Sequence, residues 1–164
     1  MAINDTTRPQ RPHIRIPVIS FYESDFQGID NNLHDPVVIF VIVEKFIIGK
    51  VLVDQGSSVD ILPHSTFRKM QLTEVSLHPY NGDLVGFSGG LVNIRGSMWM
   101  RTTFDSPPKA KMINVQYLVI DFPNPYHMTL GQPSLNNLGA IISTPQMVLK
   151  FPISETEVGV LHAD

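Results

Sequence analysis

The sequence predicts an all-β domain with one or two short helices, an expectation that rests on charge, punctuation and the character of its apolar runs. Only 16% of residues are charged, against an ordinary share of about 25%, which leaves little material for long solvated helices. Thirteen Pro and eleven Gly break the chain at the short intervals typical of a sandwich or barrel. The most apolar stretches are brief and rich in β-branched residues, which suit a pleated surface better than a helix. A length of 164 residues fits one buried domain with ragged ends.

Residues 1–17 carry Arg8, Pro9, Arg11, Pro12, Arg15 and Pro17 with little apolar periodicity and read as a disordered leader to a domain over 18–155, with 156–164 as a tail. The run Val37 to Val43 is continuously apolar, so a central strand covered on both faces is expected there. Glu44-Lys45 gives a turn, and Phe46 to Val53 forms the return arm of a hairpin, interrupted at Gly49-Lys50 and ending at Asp54. Ser65 stands as a hydroxyl cap before Phe67 and Met70, predicting a short helix over 65–70.

Further strands are predicted at 82–87, 91–104 and 111–120, the second forming a hairpin with the segment before it and the tip at Gly86 to Gly90. Within that strand Met98, Trp99 and Met100 fit either a groove wall or barrel filling. Pro133 suits the first turn of a second helix, with Leu135 and Leu138 three apart and Gly139 as its stop. Strands at 140–143 and 147–151 close the domain. An apolar strand, a Gly-containing loop and a short helix occur twice, led by Val51-Leu52-Val53 and Tyr117 to Ile120, which fits either an internal duplication or the ordinary alternation of a barrel.

A net charge of −3 offers no field to gather nucleic acid or anionic lipid, so neither is expected as a partner. Without cysteine there is no disulfide framework, thiolate metal site or catalytic thiol. The six histidines are scattered without ligand spacing, and neither a metal nor a cofactor is expected. The N-terminus lacks the apolar core of a signal peptide, the apolar stretches elsewhere fall far short of a membrane span, and an intracellular, cytoplasmic setting is the expectation. Ser57 or Ser58 with Asp60 and His64 contain the residue types of a serine triad, but they crowd into one segment and lack the Gly-x-Ser-x-Gly elbow.

The most specific local feature is Val51-Leu52-Val53-Asp54-Gln55-Gly56-Ser57-Ser58. An acid at the end of an apolar strand has its direction fixed by ladder and core. The glycine permits a tight turn that would aim backbone N–H groups and the Ser57 hydroxyl at the carboxylate. An Asp-containing turn that merely closes a strand is the plain alternative.

Other segments keep company with this loop in order and spacing: Ile19-Ser20-Phe21 through Gly28, His34-Asp35-Pro36-Val37-Val38, Ser65 through Met70, Leu84-Val85-Gly86-Phe87-Ser88-Gly89, Thr129-Leu130-Gly131-Gln132-Pro133 and Leu149-Lys150-Phe151-Pro152. Across residues 18–152 the sequence thereby resembles the retropepsin-like aspartic protease domain of plant Ty3/gypsy-type retrotransposon polyproteins. The resemblance implies a closed acid-protease barrel, active as a homodimer, that cuts extended polypeptide. It implies Asp54 as the catalytic acid, with Gln55, Gly56, Ser57 and Ser58 as its loop. Phe87, Ser88, Gly89 and Gly90 would form the flap, and Leu130 and Gly131 the second loop.

Aspartic proteolysis needs two carboxylates, one to draw a proton from water and one to hydrogen-bond the substrate carbonyl. No other aspartate of this chain is followed two residues later by Gly, so the pair would be built across a twofold dimer, with activity at acidic to near-neutral pH. Gln55 stands where the resembled family has Thr or Ser, and Gln132 where it often has Arg. A catalytically degenerate module that retains dimerisation and peptide binding is the second reading.

Overall fold

The computed structural model of the chain describes residues 16–22, 36–80 and 92–163, which form a closed six-stranded barrel beside a three-stranded sheet. In chain order the elements are β1 (Val37–Val43), β2 (Phe46–Val53), β3 (Asp60–Pro63), α1 (His64–Lys69), β4 (Asn93–Ser106), β5 (Lys109–Asp121), β6 (Met128–Leu130), α2 (Gln132–Leu138), β7 (Ile141–Ser143), β8 (Val148–Pro152) and β9 (Val158–His162). Around the barrel the order is β1-β2-β6-β3-β5-β4, closed where Ile42 and Val43 pair with Thr103 and Thr102. The all-β expectation with two short helices holds.

Closure decides how the apolar runs are used. Val37, Ile39, Val41 and Val43 point into the core, while Phe40 on the other face is 41% exposed. β1 is therefore covered on one face only, contrary to the expectation of a strand buried on both, because the outside of a small barrel is left to solvent. The interruption at Gly49-Lys50 is absorbed inside β2: the register against β1 shifts between Ile39 and Val41, and Lys50 takes a φ of 52°.

β4 and β5 form one long antiparallel hairpin from Asn93↔Asp121 to Ser106↔Lys109. The hairpin partner of β4 is thus the segment after it, while the segment before it pairs at the single bridge His78↔Ser97; the strand expected at 82–87 and the tip at Gly86 to Gly90 lie outside the described residues. Alternation along β4 sends Met100 into the barrel and leaves Trp99 61% exposed. Facing β4, Tyr117 is wholly buried, and its phenol lies 2.6 Å from the Thr102 hydroxyl. Burial pushes that phenol's pKa well above its ordinary value.

α1 starts at His64 with Pro63 as its cap residue, and Ser65 makes no capping bond but lies inside the first turn. Its Thr66 hydroxyl donates to the His127 carbonyl at 2.7 Å, anchoring the chain just before β6. α2 has Pro133 in its first turn and ends at Gly139 in the left-handed region, φ 70°, with Leu135 and Leu138 buried as their spacing predicts.

β7, β8 and β9 form the separate antiparallel sheet. β9 occupies the stretch expected to be a tail: it pairs along β8, buries Leu161, and donates from the Val160 amide to the Ser106 hydroxyl oxygen at 2.9 Å. The sheet is pinned to the barrel by Lys111, whose ammonium donates to the carbonyls of Leu138 at 3.0 Å and Pro152 at 2.7 Å. Burial lowers the pKa of this lysine. Lys111→Met keeps the aliphatic stem but strands both carbonyls, so we expect a loss of about 2 kcal/mol in urea unfolding.

Candidate active site

The topology explains the loop. β6 lies between β2 and β3, parallel to the first through Val53↔Leu130 and antiparallel to the second through Ile61↔Thr129. A chain leaving β2 for β3 must therefore arch over the end of β6. Residues 54–59 are that arch, and Gly131, the first residue after β6, passes directly beneath it.

Asp54 sits at the head of the arch, its amide donating to the Leu130 carbonyl at 2.9 Å. The Gly56 amide donates to Asp54 Oδ1 at 2.9 Å, and the Ser57 amide closes the turn on the Asp54 carbonyl at 3.2 Å. No hydrogen bond reaches Asp54 Oδ2 among the described residues. Gly56 eases the close approach, since a Cβ there would sit 3.3 Å from Oδ1 and the carboxylate would have to shift by a few tenths of an ångström. The Ser57 hydroxyl does not face the carboxylate as expected but donates to the Val59 carbonyl at 2.7 Å, completing a group that the arch lifts out of the ladder. Gln55 and Ser58 are exposed.

Beneath the arch, the Gln132 amide donates to the Ser57 carbonyl at 2.8 Å, and the Gly131 amide to Asp60 Oδ1 at 2.7 Å. Leu130 contributes through its backbone, its side chain being buried in the core. The second loop is thus brought against the first. The strand leading into it is β6, not the segment Tyr117 to Ile120, which runs parallel to β3.

Asp60, named in the sequence only among the residue types of a serine triad, is instead a buried acid tying the two loops together. It is 3% exposed, and burial, opposed by the Gly131 hydrogen bond, raises its pKa. The Ser134 hydroxyl stands beside the same carboxylate without the geometry of a hydrogen bond. A lone acid in the apolar run Val59-Asp60-Ile61-Leu62 was the available signal, since a buried carboxylate requires a partner. The raised pKa fixes a sign: the folded chain holds this proton more tightly than the unfolded one, so Asp60 penalises folding above its folded pKa and the penalty is relieved as pH falls towards 3.8. Asp60→Asn keeps an acceptor for Gly131. Its melting temperature relative to the parent should rise as pH is taken from about 4 to 7.

A cleft of about 420 Å³ opens beside Asp54, walled by Leu52, Ile61, Ile120, Phe122 and Tyr126 and bordered by Val92. The Phe122 to Tyr126 wall was also missed; the Asn124 side chain holds it by accepting from the Tyr126 amide at 2.9 Å. Phe87, Ser88, Gly89 and Gly90, expected as the flap, lie outside the described residues.

No protein-family model and no curated protein matches the chain. Solved structures do. The retroviral protease-like domain of Ddi1 from Leishmania major aligns with a TM-score of 0.55 at 11% identity, over 79% of this chain and 94% of that one. The EIAV protease complexed with the inhibitor HBY-793 aligns at 0.48 and 22% identity, over 70% and 99%. A retropepsin-like aspartic protease from Rickettsia conorii aligns at 0.49 and 16% identity, over 81% and 87%. The Ddi1 alignment establishes the class of fold, a retropepsin-like closed barrel.

Proposed function

We propose that the chain is an aspartic endopeptidase whose catalytic pair is completed by Asp54 from a second copy. The observation that carries this reading is the setting of Asp54, fixed at one oxygen by the Gly56 amide and open at the other beside an apolar cleft. Half-exposed in one protomer, it is a carboxylate presented and not consumed by internal bonds.

In the pair, one Asp54 accepts a proton from the attacking water while the other, protonated, donates to the scissile carbonyl. The proton then passes to the leaving nitrogen. Gly56 orients the carboxylate directly, Ser57 braces the arch through the Val59 carbonyl, and Ser58 is exposed on it. Gln55 projects from the arch with no hydrogen bond among the described residues, so its amide is available to the partner copy in place of the short hydroxyl of the resembled family. Phe87 to Gly90 would close over an extended polypeptide. The sequence resemblance makes the natural substrate a Ty3/gypsy-type polyprotein processed inside the cell.

Digestion of a mixed peptide library by concentrated protein, at about pH 4 to 7 and read by mass spectrometry, tests the proposal. Cuts are expected that disappear with Asp54→Asn. A demonstrated dimer that makes no cuts would move the assignment to an inert peptide-binding module.

A further inference from the structure

A second cavity, of about 350 Å³, meets the Asp54 cleft at Ser58, which lines both. Its floor includes Asp60 and Ser134, both buried, and its mouth carries Tyr80 and Trp99.

The lining has a chemical preference. Among the described residues Asp60 is its single carboxylate, and no lysine, arginine or histidine lines it. Ser134 is 2% exposed, and its hydroxyl stands beside the Asp60 carboxylate short of full hydrogen-bond geometry, so the two form one buried polar floor. Two wall amides have their nitrogens engaged: Gln116 Nε2 donates to the Ser97 hydroxyl at 3.4 Å and Asn137 Nδ2 to the Asn114 carbonyl at 3.2 Å. Their oxygens are left as acceptors. Trp99 is 61% exposed and Tyr80 38%, offering aromatic faces of the kind that attract cations. Acceptors, one acid and aromatic faces with no competing cation select a guanidinium or ammonium group.

We propose that this cavity is a subsite for an arginine or lysine side chain of the polypeptide substrate, bound away from the scissile bond. It rests on the hydrolytic reading of Asp54, because a chain lying in that cleft delivers its side chains past Ser58.

Trp99 is the only tryptophan of the chain, so its emission reports on the cavity mouth. Asp54→Asn protein, which removes turnover, is titrated with Nα-acetyl-arginine amide and with the neutral isostere Nα-acetyl-citrulline amide. A saturable emission change is expected for the first, with binding of the second roughly tenfold weaker. Asp60→Asn in the same background should bring arginine down to the citrulline level. If circular dichroism finds that variant unfolded, Gln116→Leu takes its place and should weaken arginine binding about threefold. No saturable change with arginine amide, or equal affinity for citrulline amide, overturns the proposal. Arginine binding without any library cleavage preserves the cation site and overturns the hydrolytic reading. Cleavage indifferent to basic residues on either side of the cut overturns the subsite.

Discussion

Asp54→Asn should lower peptide cleavage by about 10³-fold or more while leaving the melting temperature nearly unchanged, because it separates the two roles of this side chain. Asn keeps an oxygen for the Gly56 amide, so the arch retains its internal bond. What it loses is the ability to take or give up a proton, and a twofold pair loses it at both positions. Mixing the two chains sharpens the test. If each active unit needs Asp54 from two copies, activity falls as the square of the parent fraction, and an equal mixture retains about one quarter. A linear fall to about half would mean that each chain completes its own site, contrary to the proposal.

Gly131→Ala should have the largest effect on stability. An added Cβ would meet the Ser57 carbonyl oxygen at 2.7 Å and the Val59 carbonyl oxygen closer still. Both are backbone atoms of the arch, so neither can swing aside as a flexible side chain does. Relief requires the arch to lift, which would break the bonds from Gly131 to Asp60 and from Gln132 to Ser57. We expect a loss of about 3 kcal/mol in denaturant unfolding, with cleavage activity lost in proportion to the displaced Asp54. Gly49→Ala is the matched control: nothing lies within 4 Å of its added Cβ, and stability should change by less than about 0.5 kcal/mol. Equal behaviour of the two variants would refute the steric role assigned to Gly131.

What the sequence disclosed follows the range of the forces involved. β1 and β2 were readable to the residue because seven and eight consecutive positions carry a strand pattern and a local turn joins them. α2 was readable because Pro133 and Gly139 mark its ends chemically. β3 and β6 were missed, being four and three residues long and held by partners distant in sequence, with no period of their own to detect. The buried role of Asp60 was illegible for the same reason: its partner Gly131 is 71 positions away. The Ser65 cap failed because β3 runs directly into α1, leaving Pro63 at the boundary. The place of Asp54 at the head of the arch was legible because its signature, an acid ending an apolar strand before a glycine, is local.

The insertion of β6 between β2 and β3 also orders events in time. The first hairpin can form from the seventeen residues Val37 to Val53, but β2 and β3 make no ladder with each other and have no spacer until Met128 to Leu130 arrives. Contacts of such sequence separation carry a large closure entropy and are made slowly. On a ribosome the segment from Asp54 to Val59 emerges long before the strand that shapes it. A nascent chain holds the acid without its architecture until Met128 to Leu130 has also emerged.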